Sequence, residues 1–362
     1  MRYFAVIMYF FIILLLLAER WYNDRALSSF RFIIHVNGIR GKTDVCRRLD
    51  AALRANGFRV FTKTTGTHPC YLDTQGREHQ LTRLGRANIR EQMRIIRCAF
   101  REHADVLILE CMAVRPELQS ICQYSIVKSQ YVVITNLRRD HLYELGETPE
   151  EIARSFCSTI PKHGTLFLGS NTCQSIFQQA CDQLGSRLLL CTSPEELPPL
   201  QSNQCLVNQI CAHLGVLPTQ AAPVTDFGAS KTYHFRGHQG QHLEFLNLFS
   251  VNDPDSTLLQ LKQINLQRPI LFLYNHRPDR PDRFLLFQRH FFPVYPKAPI
   301  WIMGRGAQLP VRLLKRQGRP CLRRCWQDIF SLDDRTLIVG VGSIKGDGER
   351  LVLHMEANAE HE

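Results

Sequence analysis

Short apolar segments alternate with helical segments along most of the chain, and this alternation limits the possible folds more than any other feature. The segments typical of buried strands are RFIIHV (31–36), FRVFTKT (58–64), ADVLILEC (104–111), YVVITNL (131–137), GTLFLG (164–169) and SRLLLC (186–191). Helices are predicted at 42–56, ending at the stop signal Asn56-Gly57, at 85–103, where the helix is basic and amphipathic, and at 148–158. Because strands that alternate with helices form parallel sheets covered on both faces, we predict an α/β fold with a mainly parallel sheet.

The helix at 148–158 has a sequence signal for its start. Thr148 suits the N-cap, Pro149 the first turn, and Glu151 the position that completes a capping box. Farther along, residues 192–268 are rich in Gln, Pro and Ser, with a clearer helix near 203–215.

Three later segments set the predicted domain boundaries. RPILFLYN (268–275) is expected to be the last strand of a large domain, and APIWIMG (298–304) and RTLIVGVGS (335–343) to be strands of a smaller α/β domain. We therefore expect an N-terminal helix at 1–22, a large domain at 23–275 and a smaller C-terminal domain at 276–362.

The amino terminus is an uninterrupted apolar run from Tyr3 to Ala18, followed by Trp21 and Tyr22. About 20 residues suffice to cross a bilayer as a helix, and aromatic residues suit the headgroup boundary. A cleaved signal peptide is the alternative, but no small-residue cleavage site follows the run. Since arginines follow it, the positive-inside bias predicts a single-pass anchor with the remaining chain in the cytoplasm.

The overall charge is basic. The chain of 362 residues has a net charge of +11 and a pI of about 9.2. This surplus favours an acidic partner, but it is spread along the chain without a dense Lys/Arg tract, so no nucleic-acid partner is expected. The 13 cysteines have no C-x-x-C spacing, which favours reduced thiols over disulfides or a zinc site.

A glycine-rich loop follows the first strand of the large domain. In HVNGIRGKTDV (35–45), Gly38 and Gly41 would let backbone N–H groups face an anion at the start of a helix. Lys42 would neutralise phosphate, and the Thr43 hydroxyl could bind Mg²⁺. A complete phosphate-binding motif would have glycine at position 36, where this chain has valine, so a plain glycine-rich turn is the alternative.

Polar side chains also follow other predicted strands. Glu110 ends one strand and could hold Mg²⁺ or form a salt bridge. Asn136, Asp140 and His141 follow another, where His141 could bind a metal or phosphate or cap a helix.

The third candidate strand end is YNHRPDRP (274–281). There Asn275 and Arg277 could contact a nucleotide, or the prolines could mark a hinge. VGVGSIKGDG (339–348) is a second glycine-rich loop after a strand, either a dinucleotide-like turn or a tight loop of the small domain.

Together these motifs resemble the Mur ligase superfamily. The strings VNGIRGKT, KTTGT (63–67), ECMAVRPELQ (110–119), NHRPDR (275–280) and VGVGSIKGDG are most similar to one branch, the ligase subunits of poly-γ-glutamate synthases (CapB/PgsB type). The resemblance implies that the large domain binds ATP and has the fold of the central domain of Mur ligases. It also implies that ATP and Mg²⁺ convert a carboxylate into an acyl phosphate, which an amine attacks to give an amide, ADP and phosphate.

The resemblance also implies roles for individual residues. Lys42 would hold the β/γ-phosphates, and Thr43, Glu110 and His141 would bind Mg²⁺, with Lys42, Glu110 and His141 as the catalytic set. ATP contacts would come from the residues of the loop and from two later strand ends: Asn37, Gly38, Arg40, Gly41, Lys42, Thr43, Asn136, Asn275 and Arg277.

Three positions depart from the pattern of that family. Ile39 stands in place of Thr or Ser, and Phe156 occupies the position of a carbamylated lysine in many relatives. Asp44 follows the loop, where a carboxylate would repel phosphate unless it turns away or reaches the metal. Residues 192–268 match the family poorly.

The leading hypothesis is a membrane-anchored, ATP-dependent amide ligase that extends a γ-linked glutamate polymer. Its expected partners are glutamate, the growing polyglutamate chain and small membrane subunits of a synthase complex at the plasma (inner) membrane. Two alternatives are a Mur-like ligase for another acidic amino acid and a nucleotide-binding regulatory subunit with little ligase activity.

Overall fold

The structure, a computed structural model, describes residues 2–66, 69–83, 85, 87–191, 199–219, 230–262, 264, 268–333 and 336–358. Thr67 of the KTTGT string, Arg86 of the predicted helix at 85–103 and Arg335 of the last predicted strand lie outside these residues. So do 192–198, 220–229 and several positions up to 267 in the segment that we expected to match the family poorly.

The chain divides into two compact units. The first contains Met1–Leu137 and Glu144–Val224, and the second contains Arg138–Tyr143 and Thr225–Glu362. Apart from the short segment 138–143, the boundary between the units therefore falls at 224–225 along the chain, not at 275 as we expected.

The first unit contains eight strands among the described residues. They are β1 (Phe32–Asn37), β2 (Val60–Thr64), β3 (Cys70–Leu72), β4 (Glu78–Gln80), β5 (Val106–Glu110), β6 (Tyr131–Ile134), β7 (Thr165–Leu168) and β8 (Arg187–Leu190). Their order in the sheet is β4-β3-β2-β5-β1-β6-β7-β8. Strands β2, β5, β1, β6, β7 and β8 pair in parallel with their neighbours, and β3 and β4 add an antiparallel edge. This confirms the predicted mainly parallel sheet.

The second unit has its own sheet. Its described strands are β9 (Lys231–Arg236), β10 (His242–Asn247), β11 (Ile270–Asn275), β12 (Ile300–Met303), β13 (Cys321–Arg323) and β14 (Leu337–Gly342). They lie in the order β13-β12-β11-β14-β10-β9, parallel except for β9.

One strand was assigned to the wrong sheet. We expected 268–275 to end the large domain, but β11 lies between β12 and β14 in the sheet of the second unit. A strand with a neighbour on each side is apolar throughout in either sheet, so its sequence does not show which sheet it joins.

Helices connect the strands. They are α1 (Arg2–Leu27), α2 (Lys42–Ala55), α3 (Glu91–Arg101), α4 (Pro116–Ile121), α5 (Leu142–Leu145), α6 (Pro149–Cys157), α7 (Gln174–Leu184), α8 (Pro199–Leu214), α9 (Pro254–Lys262), α10 (Pro281–Leu286), α11 (Gln308–Arg316) and α12 (Asp347–Asn358). Short π-helical turns at Cys122–Val127 and Phe287–Phe291 follow α4 and α10, and 3₁₀ turns lie at Phe292–Val294 and Trp326–Ser331.

Two local predictions about helix ends are confirmed. The Thr148 hydroxyl accepts a hydrogen bond from the Glu151 amide at 3.2 Å, and the Glu151 carboxylate accepts one from the Thr148 amide at 3.1 Å, which forms the capping box of α6. Helix α2 ends at Asn56-Gly57, where Gly57 has a φ of 85°. A glycine at this position relieves the steric cost of a left-handed residue after a helix.

The amino-terminal helix is longer than predicted. It is long and apolar enough over Tyr3–Leu27 to cross a membrane, and its apolar stretch is not buried in the protein. Its last turns pack on the first unit, because Ala26 and Leu27 join a core cluster and the Asn23 amide donates to the Ile126 carbonyl at 2.9 Å.

Candidate functional site

The loop between β1 and α2 has two glycines in conformations that other residues rarely adopt. Gly38 has a φ of 119° and Gly41 a φ of 80°. A Cβ on Gly38 would lie 2.2 Å from Thr135 Oγ1 and 2.8 Å from the Thr135 amide nitrogen. Gly38 is therefore required both by its backbone φ angle and by the close approach of Thr135, which follows β6.

Lys42 begins α2 and reaches back over the loop. Its Nζ donates to the Gly38 carbonyl at 2.7 Å and to the Ile39 carbonyl at 3.4 Å. The ammonium group, the loop amides and the N-terminus of a 14-residue helix thus meet in one place. This combination suits an anion such as a phosphate chain.

Two residues after β6 brace the same loop. Asn136 accepts a hydrogen bond from the Arg40 amide at 3.2 Å and donates one to the Arg40 carbonyl at 2.9 Å. The Thr135 hydroxyl also donates to that carbonyl, at 2.6 Å. The structure therefore places Asn136 against the loop as a brace, and its predicted contact with ATP stays a prediction.

Asn37 fixes the start of the loop from the end of β1. Its Oδ1 accepts from the Gly38 amide at 2.8 Å, and its Nδ2 donates to Gln119 at 3.0 Å. Asn37 is buried, so the loop leaves the sheet from a rigid position.

A pair of oxygen ligands lies beside the loop. Glu110 Oε2, at the end of β5, accepts from the Thr43 hydroxyl at 2.9 Å and from the Thr65 amide at 2.7 Å. Hydroxyl and carboxylate oxygens are the protein ligands that Mg²⁺ prefers, and it normally completes its shell with water and substrate phosphates. The donor set of Thr43 and Glu110 therefore fits a magnesium ion.

A buried cation lies near this pair. Lys63, in β2, is fully buried and forms an ion pair with Glu91 at 2.8 Å. Burial lowers the pKa of Lys63, while Glu91 opposes that shift. Glu91 also pairs with Arg83 at 2.7 Å, so one carboxylate is shared by two cations.

The three departures from the family pattern have structural reasons. Ile39 and Phe156 are both buried in one apolar cluster of the first unit, so both side chains belong to the core. Asp44 turns toward Arg48, with both carboxylate oxygens 2.9 Å from Arg48 Nε, and its Oδ2 accepts from Asn203 at 2.8 Å. The carboxylate is thus neutralised.

Asn203 was missed by the sequence analysis. It lies on α8, and a Cβ on Gly41 would be only 2.7 Å from its amide group. Asn203 therefore packs directly against the loop. The helix near 203–215 was predicted, but only the packing of α8 against α2 brings this side chain to Gly41.

The predicted residues His141, Asn275 and Arg277 belong to the second unit. There the buried Asp140 carboxylate accepts from Arg280 at 2.6 Å and from the His141 amide at 2.9 Å, and His141 Nε2 lies 3.5 Å from Arg280 Nη1. The predicted metal role of His141 stays a prediction.

Asn275 and Arg277 line an open cleft of about 530 Å³ in the second unit. The cleft lies at the carboxyl ends of β11 and β14. The chain adds strands on one side of the sheet after β11 and returns to the other side with β14. Ligands of open parallel sheets bind at such a switch point. Its charged lining residues are Arg277, Arg305, Arg323, Asp347 and Arg350. With four guanidinium groups and one carboxylate, the cleft is suited to an anion.

The second glycine-rich loop forms one wall of this cleft. Asn275 donates to the Lys345 carbonyl at 2.9 Å and to the Ser343 carbonyl at 2.5 Å. Asn275 Oδ1 and His276 Nδ1 are buried without a hydrogen-bond partner among the described residues. Burial lowers the pKa of His276. These unpaired polar atoms beside arginines point to a polar ligand.

Comparison with known proteins identifies relatives of the whole chain. Residues 232–358 match the family described as Poly-gamma-glutamate synthase CapB C-terminal domain. The capsule biosynthesis protein CapB of Bacillus anthracis is 28% identical over 94% of this chain and 80% of its own length. The PGA synthase CapB of Bacillus subtilis (strain 168) is 26% identical over 92% of both chains.

Solved structures share the fold. The bifunctional folylpolyglutamate synthase/dihydrofolate synthase of Yersinia pestis CO92 has a TM-score of 0.64 at 14% identity, over 92% of this chain and 90% of that one. A structure of such a bifunctional enzyme with Mn, AMPPNP and L-glutamate bound has a TM-score of 0.62 at 16% identity, over 93% and 92% of the two chains. The resemblance predicted from the motifs is thus confirmed: the C-terminal part of this chain matches the CapB family model, the chain is similar to two CapB proteins, and its fold is similar to that of folylpolyglutamate synthases.

Proposed function

We propose that this protein is a membrane-anchored, ATP-dependent amide ligase that forms poly-γ-glutamate through an acyl-phosphate intermediate. The observation that carries the proposal is the meeting of Thr43, Thr65 and Glu110 beside the loop that begins with Gly38. A phosphate-binding loop and a pair of metal ligands at adjacent strand ends are the parts that phosphoryl transfer needs. The relatives named as poly-γ-glutamate and capsule proteins support the polymer as the product.

The reaction has two steps. An oxygen of the substrate carboxylate attacks the γ-phosphorus of ATP, and the bond from that phosphorus to the bridging oxygen of ADP breaks. The amine of the second substrate then attacks the acyl carbon, loses a proton, and expels phosphate to leave the amide. Neither step needs a covalent bond to the protein, so catalysis rests on position and charge.

The residues of the loop would perform this work in the first unit. The amides of the loop and Lys42 would hold the β- and γ-phosphates, and Lys42 would move from the Gly38 carbonyl to the phosphate oxygens. Thr43 and Glu110 would hold Mg²⁺, which offsets the charge of the transferred phosphoryl group. His141 is proposed as a further metal ligand.

The cleft of the second unit would bind the remaining anionic groups. Asn275 and Arg277 are proposed to contact ATP, and Arg305, Arg323 and Arg350 the carboxylates of the acidic substrate. Arginine suits both groups, because its planar fork donates two parallel hydrogen bonds to a phosphate or a carboxylate. A net charge of +11 is consistent with work on a polyanion.

The ligase proposal is tested by ATP turnover in full-length protein reconstituted with its small membrane partner subunits. We expect ADP release that depends on glutamate and hydroxamate formation when hydroxylamine traps the acyl phosphate. Lys42→Ala should abolish both, while Lys315→Ala, which removes an exposed lysine of α11, should change neither.

The two alternatives give different results in the same experiment. A ligase for another acidic amino acid would release ADP with that amino acid and not with glutamate. A regulatory subunit would bind ATP without producing ADP whichever amino acid is supplied.

The membrane part of the proposal concerns α1. We propose that α1 spans the plasma membrane once, with the two units in the cytoplasm, because its apolar stretch is exposed and long enough to cross. Alkaline carbonate should leave the full-length protein in the membrane fraction, and its release by carbonate would refute this part alone.

A further inference from the structure

The outer face of α3 carries a row of arginines that the ligase chemistry does not use. Arg90, Arg94, Arg97 and Arg101, called here the arginine stripe, follow one another at spacings of four, three and four residues. Residues at these spacings lie on one face of a helix. The opposite face is buried in the core, through Gln92, Ile95, Ile96 and Ala99.

The arginine stripe is attached to α1. Glu19 of α1 forms ion pairs with Arg90 at 2.8 Å and with Arg97 at 2.7 Å. One turn farther along α1, the Tyr22 ring contacts Phe100 edge to face, with ring centroids 5.9 Å apart, and lies under the Arg97 guanidinium. Because both polar and aromatic contacts join the two helices, the stripe has a fixed height along α1.

That height corresponds to the surface of a bilayer. The 16 apolar residues from Tyr3 to Ala18 span about 24 Å as a helix, which is less than the roughly 30 Å of a hydrocarbon core. Glu19 therefore lies near the hydrocarbon boundary, and the arginines bonded to it lie at the level of the headgroups. Trp21 is at the same level, with the Arg25 guanidinium 5.5 Å from its ring.

We propose that the arginine stripe, together with Arg20 and Arg25, is a binding surface for anionic phospholipid headgroups. This inference rests on the membrane part of the proposed function. Two carboxylates of α1 lie at this level: Glu19 pairs with Arg90 and Arg97, and Asp24 pairs with Lys128. The surface therefore stays positive after the ion pairs form. Arg20, Arg25, Arg94 and Arg101 are exposed, and guanidinium groups donate paired hydrogen bonds to phosphate.

The same helix leads to the candidate site. Glu91 pairs with the buried Lys63, and Gln92 donates to the Glu110 carbonyl at 3.1 Å. Helix α3 therefore joins the membrane surface to the strand end that carries Glu110. Lipid bound on one face of α3 would set the height and orientation of that strand end above the membrane.

Lipid selectivity tests the proposal directly. Full-length protein is placed in phosphatidylcholine vesicles that contain a trace of spin-labelled phosphatidylglycerol or spin-labelled phosphatidylcholine, and electron paramagnetic resonance measures the immobilised fraction of each lipid. We expect a preference for phosphatidylglycerol of about threefold or more, since one arginine near an anionic headgroup contributes about fivefold in affinity. High salt should reduce this preference.

Two variants identify the surface. Arg94→Gln/Arg101→Gln removes two exposed arginines that take no part in the Glu19 ion pairs, and should lower the preference while Arg20 and Arg25 remain. Arg312→Gln/Arg316→Gln removes two exposed arginines of α11 and should leave the preference unchanged. Equal immobilisation of the two lipids by the wild-type protein, or an unchanged preference in the α3 variant, would overturn the proposal. Because carbonate extraction tests the span separately, a missing span and a missing lipid surface give different results.

Discussion

Replacing Gly38 by alanine tests the geometry of the loop that the proposed function depends on. The new Cβ would lie 2.2 Å from Thr135 Oγ1 and 2.8 Å from the Thr135 amide nitrogen. Rotation of the threonine side chain can relieve the first contact but not the second, which involves backbone. Either the loop or the start of the segment after β6 must therefore move.

The expected cost has two parts. A non-glycine residue at a φ of 119° is strained by about 1–2 kcal/mol. Displacing Thr135 also weakens its hydrogen bond to the Arg40 carbonyl, which is worth about 1 kcal/mol. We expect the free energy of unfolding to fall by about 2–3 kcal/mol. If the loop moves instead, affinity for ATP should fall by about tenfold or more, since a 1.4 kcal/mol loss of contacts has that effect.

Gly57 provides the matched control. It also has a positive φ, 85°, but no atom lies within 4 Å of the position of its Cβ. Gly57→Ala should therefore lower stability by about 1 kcal/mol from backbone strain alone and leave ATP affinity unchanged. Denaturant unfolding and binding of a non-hydrolysable ATP analogue measure both quantities. If Gly38→Ala matches Gly57→Ala in both, the close approach of the loop to Thr135 is refuted.

Three further predictions concern single side chains. Thr43→Val should weaken the Mg²⁺ dependence of ATP binding by about tenfold, because it removes one proposed metal ligand. Thr159→Val, at a buried site outside the loop, should leave that dependence unchanged. Titration of Mg²⁺ against ATP binding measures both variants, and equal dependence in the two would count against the metal pair. Asp44→Asn should lower the free energy of unfolding by about 1–2 kcal/mol without changing ATP affinity, because the carboxylate faces Arg48 and not phosphate. A large gain in ATP affinity on titration would show instead that the charge of Asp44 repels the nucleotide. Burial lowers the pKa of His35 to about 4, so between pH 6.5 and 4 the unfolded chain binds a proton that the folded protein does not. The free energy of unfolding should therefore fall by about 3 kcal/mol as the pH drops through this window. His35→Leu should flatten this part of the curve of unfolding free energy against pH, and an unchanged slope would contradict the assignment.

Features that depend on neighbours along the chain were predictable from the sequence. The capping box of α6 and the end of α2 at Asn56-Gly57 need only a few consecutive residues, and both were found. The strand–loop–helix unit of β1 and α2 was also found, because an apolar run, two glycines and Lys-Thr stand side by side. The motif strings then led to the same relatives that the comparisons identify, without any long-range information.

Features that depend on distant residues were not predictable in the same way. Strand β6 ends at Ile134 and not at 137, because Thr135 and Asn136 leave the sheet to bond Arg40. Nothing in the local sequence shows this partner. The contact of Asn203 with Gly41 likewise depends on how α8 packs against α2.

One element that was not predicted, the hairpin of β9 and β10, has a recognisable local pattern in the sequence. The hairpin of β9 and β10 has alternating apolar residues in KTYHFR and HLEFLN, a pattern typical of half-buried strands, around the turn at Gly240. Helix α3 begins at Glu91 and not at 85, after an Asn-Ile-Arg turn that the amphipathic pattern did not mark. The sheet to which β11 belongs had no such signal, since the central strands of both sheets are parallel and buried.

Glutamate-dependent ATP turnover with identification of the product tests the central claim most directly. Full-length protein with the proposed membrane partner subunits is incubated with ATP, Mg²⁺ and glutamate, and ADP release is measured together with mass spectrometry of the product. The account predicts ADP in step with a ladder of γ-linked glutamate oligomers, both lost in Lys42→Ala and kept in Lys315→Ala. ATP binding without glutamate-dependent ADP, or ADP release without an amide product, would contradict it.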